Sequence, residues 1–273
     1  AFGYWYSYWA DVGDEEQRAR VEKHNELDLP LDVYVMDMQW HYPSHWCGFE
    51  WNPVLFPEPR AALDWLHEQG VRVTLNLHLD GAPWDTRCLP EIGQALGQDF
   101  SAQIEAYAVP DAGTPTNQVT GTHNDLWPFD LGKPDEARAV FDHLIGPLYE
   151  DGTDFLWLDG QNGDTPGMNN QLWTNHVFYR DLAERRPDER PLIFSRYGGL
   201  GAHRYPVGFA GDTVADWGTL EHEVEFTARA GNVGQVYWSH DLGGHMFGFE
   251  VPQTGMPMDP ELFIRWVQFG MLS

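Results

Sequence analysis

Six apolar runs in this chain stop at polar side chains able to do chemistry: Asp37 in "VYVMDMQW", His78 and Asp80 in "LNLHLDG", Asp159 in "LWLDG", Arg196 in "IFSRYGG", Asp212 in "GFAGDT", and His240 with Asp241 in "YWSHDLGG". A set rich in carboxylates with one arginine narrows the reaction class. A hydrolytic zinc site wants a pattern such as HExxH, which is absent, and His240, Asp241 and His245 form only a loose cluster, so no metal and no cofactor is expected. A serine triad wants a GxSxG elbow, also absent, since Ser195 and Ser239 precede Arg196 and His240 rather than glycine. Carboxylates working in pairs point instead to cleavage of a glycosidic bond, one protonating the leaving oxygen and the other attacking or stabilising the sugar. Trp5, Trp40, Trp157 and Trp238 stand near the same runs, and flat indoles suit the apolar faces of sugar rings.

One strand-ending aspartate is an ordinary turn or cap residue. Six polar strand ends need a fold that gathers them. Seven strand-like runs recur, at Phe2–Trp9, Val33–Met38, Val71–Leu77, Phe155–Leu158, Leu192–Phe194, Val207–Ala210 and Val233–Trp238. Helical patterns lie between them, as in "GDEEQRARVEKHNELD", "PRAALDWLHEQG" and "KPDEARAVFDHLIGPLYEDG", and the last two close on glycine. Alternating strands and helices predict an α/β fold with a parallel sheet, and the chain ends after a helical "PELFIRWVQFG", as a (β/α)8 TIM barrel does when cut before its eighth strand. An open doubly wound sheet competes, but neither GxGxxG nor GxxxxGK[ST] occurs. In a barrel the C-terminal strand ends share one face, which is where barrel chemistry happens. Residues 1–273 read as a single domain, with a long stretch of unclear periodicity around 81–128 as an insertion over the active site.

Composition sets the outer limits. The 273 residues are 42% hydrophobic, enough for one large core. A net charge of -26 excludes nucleic acid and anionic membranes as partners, because phosphate binding needs a basic footprint. Only Lys23 and Lys133 among 16 basic side chains are lysines, and acidic surplus with so little lysine suggests a surface suited to concentrated salt, the alternative being an acidic protein of a GC-rich genome. Cys47 and Cys88 are too few for a disulfide framework and are expected as free thiols. No apolar run reaches membrane-span length, and "AFGYWYSYW" is no signal peptide, which favours a cytoplasmic location, although both ends look cut.

At the strand-end residues the chain resembles the catalytic barrel of glycoside hydrolase family 31, whose best-known members are retaining α-glucosidases, over nearly all 273 residues. The resemblance implies that Asp159, after Trp157-Leu158, is the nucleophile, with Gly160-Gln161-Asn162 replacing the usual "MNE". It implies that Asp212 in a "GD" pair is the acid/base, and that Arg196, 16 residues earlier, grips substrate and serves as counter-charge to Asp159. Asp37 and Asp241 match the aspartates that accept from sugar hydroxyls; Trp157 and Trp40 would wall the first subsite, and Trp5, Trp238 and His78 complete the expected substrate-binding set. The implied activity is that of a retaining exo-acting α-glycosidase, foremost an α-glucosidase, on an oligosaccharide or α-glycoside. α-Galactosidase, α-xylosidase, α-transglycosylase and a non-catalytic carbohydrate-binding barrel are the alternatives. An N-terminal β-sandwich and a C-terminal segment bearing a further active-site histidine, both usual in the family, are absent here and expected elsewhere in a parent chain.

Overall fold

The computed structural model describes residues 3–42, 46–107, 125–160, 169–245 and 259–273. They fall into two compact units, Phe2–Pro191 and Leu192–Ser273.

In the first unit the strands are β1 (Trp5–Ser7), β2 (Val33–Met36), β3 (Arg72–Leu77), β4 (Ala82–Pro83), β5 (Leu126–Trp127) and β6 (Phe155–Leu158), with helices α1 (Asp14–Glu26), α2 (Pro59–Glu68), α3 (Leu89–Leu96), α4 (Ser101–Ala106), α5 (Pro134–Val140), α6 (Gly146–Glu150) and α7 (Asn170–Arg185). Strands β1, β2, β3 and β6 pair in that order, all parallel. β2 and β6 are buried throughout and β3 at every position but Arg72, as befits parallel strands covered on both faces. The helices start where local chemistry favours it. α1 opens on Asp14, Glu15 and Glu16 and closes with Lys23 and His24, matching charge to the helix dipole. α2 has proline at its first position, and the Asn169 side chain caps α7 by accepting from Leu172 N–H at 3.1 Å. Between α5 and α6 the turns widen to a π-helix over Phe141–Ile145, just before Pro147, whose ring nitrogen has no hydrogen to donate.

The described residues of the segment around 81–128 hold more regular structure than their sequence advertises. The segment holds α3, α4 and the antiparallel pair β4 with β5 (Ala82↔Trp127, Pro83↔Leu126); residues 108–124 lie outside the described residues. Its packing is aromatic: Phe100 meets both Trp84 and Trp127 at ring-centroid distances of 5.4 and 5.6 Å, and Trp127 meets Phe129 at 5.6 Å.

In the second unit β7 (Phe194–Ser195), β8 (Gly208–Phe209) and β9 (Trp238–Ser239) pair parallel, with helices α8 (Trp217–Asn232) and α9 (Pro260–Gly270). Asp216 caps α8 and Asp259 caps α9, their carboxylates accepting from Thr219 N–H at 2.7 Å and Glu261 N–H at 2.9 Å. The strand expected over Val233–Trp238 begins only at Trp238. α8 runs on to Asn232, Gly234 turns the chain at φ +90°, and Val233, Val236 and Tyr237 are exposed. Their β-branched and aromatic character mimics a strand without a sheet to receive it.

No described helix is long and apolar enough to cross a membrane. Cys47 and Cys88 are free thiols. Burial pushes both up to about 12, so neither offers a thiolate nucleophile near neutral pH.

Candidate active site

The first unit brings Asp37 and Asp159 to one buried amide. Asn76 and Trp157 are register partners in the β3–β6 ladder, so His78 and Asp159, each two residues further on, emerge on the same face. On the other side Met36 pairs with Leu75, which sets Asp37 beside Asn76. The Asn76 Nδ2 group donates to Asp37 Oδ1 at 3.0 Å and to Asp159 Oδ2 at 3.0 Å. Asp37 also accepts from Met38 N–H at 2.8 Å, capping the 3-10 turn Met38–Trp40 that ends β2. His78 Nε2 stands 3.4 Å from Asp159 Oδ2, and the Asp159 side chain is 9% exposed.

Glycine must follow Asp159 because β3 passes directly beside it: a Cβ at Gly160 would lie 2.5 Å from His78 Cα. The N–H groups of Asp159 and Gly160 both donate to the Leu77 carbonyl, at 2.9 and 3.1 Å, pinning the strand end from which the carboxylate projects. At the other end of β6, Asp154 takes a different part. It accepts from His67, Arg72 and Val73 N–H at 2.9, 2.6 and 2.8 Å, a structural clamp.

The tryptophans divide. Trp157 is the register partner of Asn76, two residues before Asp159, and is buried. Trp40 does not present a wall: it is 1% exposed and its indole N–H donates to the Asn76 carbonyl at 2.8 Å, so it braces β3 from behind. Trp5 pairs with Val33 at the start of its strand, four residues before the level of Asp37 and so about 13 Å away at 3.3 Å per residue, and it packs on Phe155. That places it at the end of the sheet opposite the carboxylates.

The second unit forms its own cluster. Arg196 Nη2 donates to Asp212 Oδ1 at 2.8 Å. The local backbone explains the pairing. Gly211 has φ +83°, and the guanidinium lies 2.9 Å from where a Cβ would stand, while the Phe209 ring supports it from 5.0 Å. Asp212, Asp241 and His245 each offer a ligand atom, all within 4.8 Å of one another. The chain reaches this arrangement through two positive-φ glycines, Gly243 (+96°) and Gly244 (+87°); a Cβ on Gly244 would lie 2.7 Å from Ala215 Cα, and His245 N–H donates to the Thr213 carbonyl at 2.8 Å. Trp238 is half-buried, its ring resting on Gly208 of β8 and on Phe226 of α8 at a centroid distance of 5.2 Å.

Two features escape a reading of strand ends alone. Asn76 was hidden because it sits inside the apolar run rather than after it; the available signal is an amide in the middle of "VTLNL", where burial demands hydrogen-bond partners. His245 was legible only as part of a loose cluster. Replacing Asn76 with Leu should lower kcat/KM by about 10^2- to 10^4-fold, since a hydrogen bond to a charged group is worth roughly 1.5–3 kcal/mol and two are lost. Steady-state kinetics beside a thermal melt check this, and an unchanged kcat/KM would remove Asn76 from the site.

Comparison with known proteins places these clusters in context. The sequence model described as the glycosyl hydrolases family 31 TIM-barrel domain matches residues 1–273. An α-xylosidase of Emericella nidulans is 26% identical over 300 residues, covering 100% of this chain and 34% of the relative. Neutral α-glucosidase AB of Sus scrofa is 23% identical over 287 residues, covering 99% and 29%. The crystal structure of a family 31 α-xylosidase from Xanthomonas citri superposes with a TM-score of 0.71 at 21% identity, over 98% of this chain and 31% of that one. The chain thus spans about a third of the length of these curated relatives.

Proposed function

The chain belongs to glycosyl hydrolase family 31 and has that family's TIM-barrel fold, and from that premise we propose that it carries the catalytic centre of a retaining, exo-acting α-glycosidase. The observation that supports this most strongly is the held carboxylate of Asp159, nearly buried at a strand end between the Asn76 amide and the His78 imidazole. A nucleophile needs such restraint, because reaction depends on presenting one oxygen along one line.

Asp159 attacks the anomeric carbon and the glycosidic C–O bond breaks, while Asp212 gives its proton to the departing oxygen. Asp212 then takes a proton from water, and the resulting hydroxide equivalent displaces the Asp159 ester, releasing the sugar with its configuration retained. Asp37 and Asp241 accept hydrogen bonds from sugar hydroxyls in this reading. The ion pair of Arg196 with Asp212 is solvent-exposed, the Asp212 side chain at 48%, so separating it for substrate costs little. The guanidinium fork is then available to sugar hydroxyls. Residues 1–273 act as one catalytic domain, elaborated by the 81–128 segment.

The substrate class we propose is an α-linked, gluco-configured sugar, glucose or xylose, in keeping with the α-xylosidase and α-glucosidase among its relatives. Turnover of p-nitrophenyl α-glucoside, α-xyloside and α-galactoside by the full protein, with the released anomer followed by NMR, tests this. The glucoside or xyloside should exceed the galactoside by about tenfold or more, the scale on which one misplaced hydroxyl discriminates. The α anomer should appear first; a β anomer as first product would overturn retention.

A further inference from the structure

The mechanism leaves one buried ionisable pair in the second unit without a task. His240, between β9 and Asp241, has a side chain 1% exposed, and Glu223 on α8 one 6% exposed. Glu223 Oε2 lies 3.3 Å from His240 Nδ1, close enough for electrostatic contact though not aligned as a hydrogen bond. The other ring nitrogen, Nε2, is 3.3 Å from Thr227 Oγ1, one turn further along the same helix. Phe269 and Trp266 of α9 flank the imidazole at centroid distances of 4.7 and 6.2 Å.

Taking a carboxylate and an imidazole out of water is costly, and an apolar pair of similar volume would fill this space at least as well. The location explains the cost. α8 begins at its cap Asp216, four residues after Asp212, and His240 directly precedes Asp241. The contact therefore ties the helix that follows one site carboxylate to the backbone that carries the other. Both ring nitrogens face a single helix, so the ring is fixed against rotation as well as translation.

We propose that His240 is a positioning residue, held by Glu223 and Thr227, which sets the place of Asp241 beside Asp212 and thereby the enzyme's grip on a substrate hydroxyl. This rests on the reading of Asp241 as a substrate contact, so the test separates the two. In the full protein, Asp241→Asn, His240→Phe and Thr227→Val are assayed singly, His240→Phe is added to Asp241→Asn, and Thr227→Ser serves as the conservative rescue. Asp241→Asn and His240→Phe should each raise KM by about tenfold or more, as loss of a hydroxyl contact does, with kcat per active site titrated by covalent inactivation little changed. The double variant should be no worse than Asp241→Asn alone, and Thr227→Ser should restore what Thr227→Val loses.

A KM unaffected by Asp241→Asn would end the reading of that residue as a contact. A raised KM in Asp241→Asn with additive loss in the double variant, or a fall only in melting temperature and titrated sites, would reduce His240 to core packing and overturn the proposal. Thr227→Val keeps the ring and its volume, so it decides the matter even where His240→Phe folds poorly: a KM equal to wild type in Thr227→Val also counts against positioning.

Discussion

Replacing Asp159 with Ala should lower kcat/KM by about 10^4-fold or more, the scale on which removal of a catalytic group is felt, while the protein stays folded. The Asp159 carboxylate is held by side chains and its own backbone N–H bonds Leu77, so truncation leaves the strand ladder in place. The space vacated suits a small anion. Azide added to Asp159→Ala should restore turnover of an activated α-glycoside and yield the β-glycosyl azide, because it attacks from the face the carboxylate used. Product analysis by NMR distinguishes this from general salt activation, which gives no azide adduct.

The second large effect concerns Asp212, and its signature is selectivity between leaving groups. Protonation matters most when the departing oxygen is basic, so Asp212→Ala should cost about 10^2- to 10^4-fold for a sugar or alcohol leaving group, the usual contribution of a general acid. For a glycosyl fluoride or dinitrophenyl glycoside the first step should survive, and hydrolysis of the intermediate should become limiting because the base is gone. A burst of the phenol followed by slow steady turnover is the expected trace. Equal losses for good and poor leaving groups would remove Asp212 from the acid role.

Much of this arrangement was readable in the amino acids. The apolar runs of β2, β3 and β6 are unambiguous because parallel strands buried on both faces leave few polar interruptions. Their successors, Asp37, His78 and Asp159, follow where the burial ends. The parallel α/β reading agrees with the strand ladders and with the family match. What failed did so for local reasons. Val233–Tyr237 has strand-like composition, but helix propagation from the Asp216 cap carried α8 to Asn232 and left those residues exposed. Trp5 and Trp40 were assigned by type and proximity in sequence, which says nothing about whether an indole faces a ligand, a strand or a helix. Asn76 required knowing that β3 lies between β2 and β6, an order that no local pattern encodes. The pairing of Arg196 with Asp212 depends on the backbone of Gly211, visible only as one glycine among 28.

The most direct measurement is capture of the covalent intermediate. A 5-fluoro-α-glycosyl fluoride retains an excellent leaving group but slows both steps by withdrawing electrons from the oxocarbenium-like centre, so the sugar accumulates on the nucleophile. After inactivation of the full protein and proteolysis, mass spectrometry should find the fluorosugar esterified to Asp159 within the peptide that contains "FLWLDG". An adduct on any other carboxylate, or turnover of the fluoride with no adduct on Asp159, would contradict the assignment.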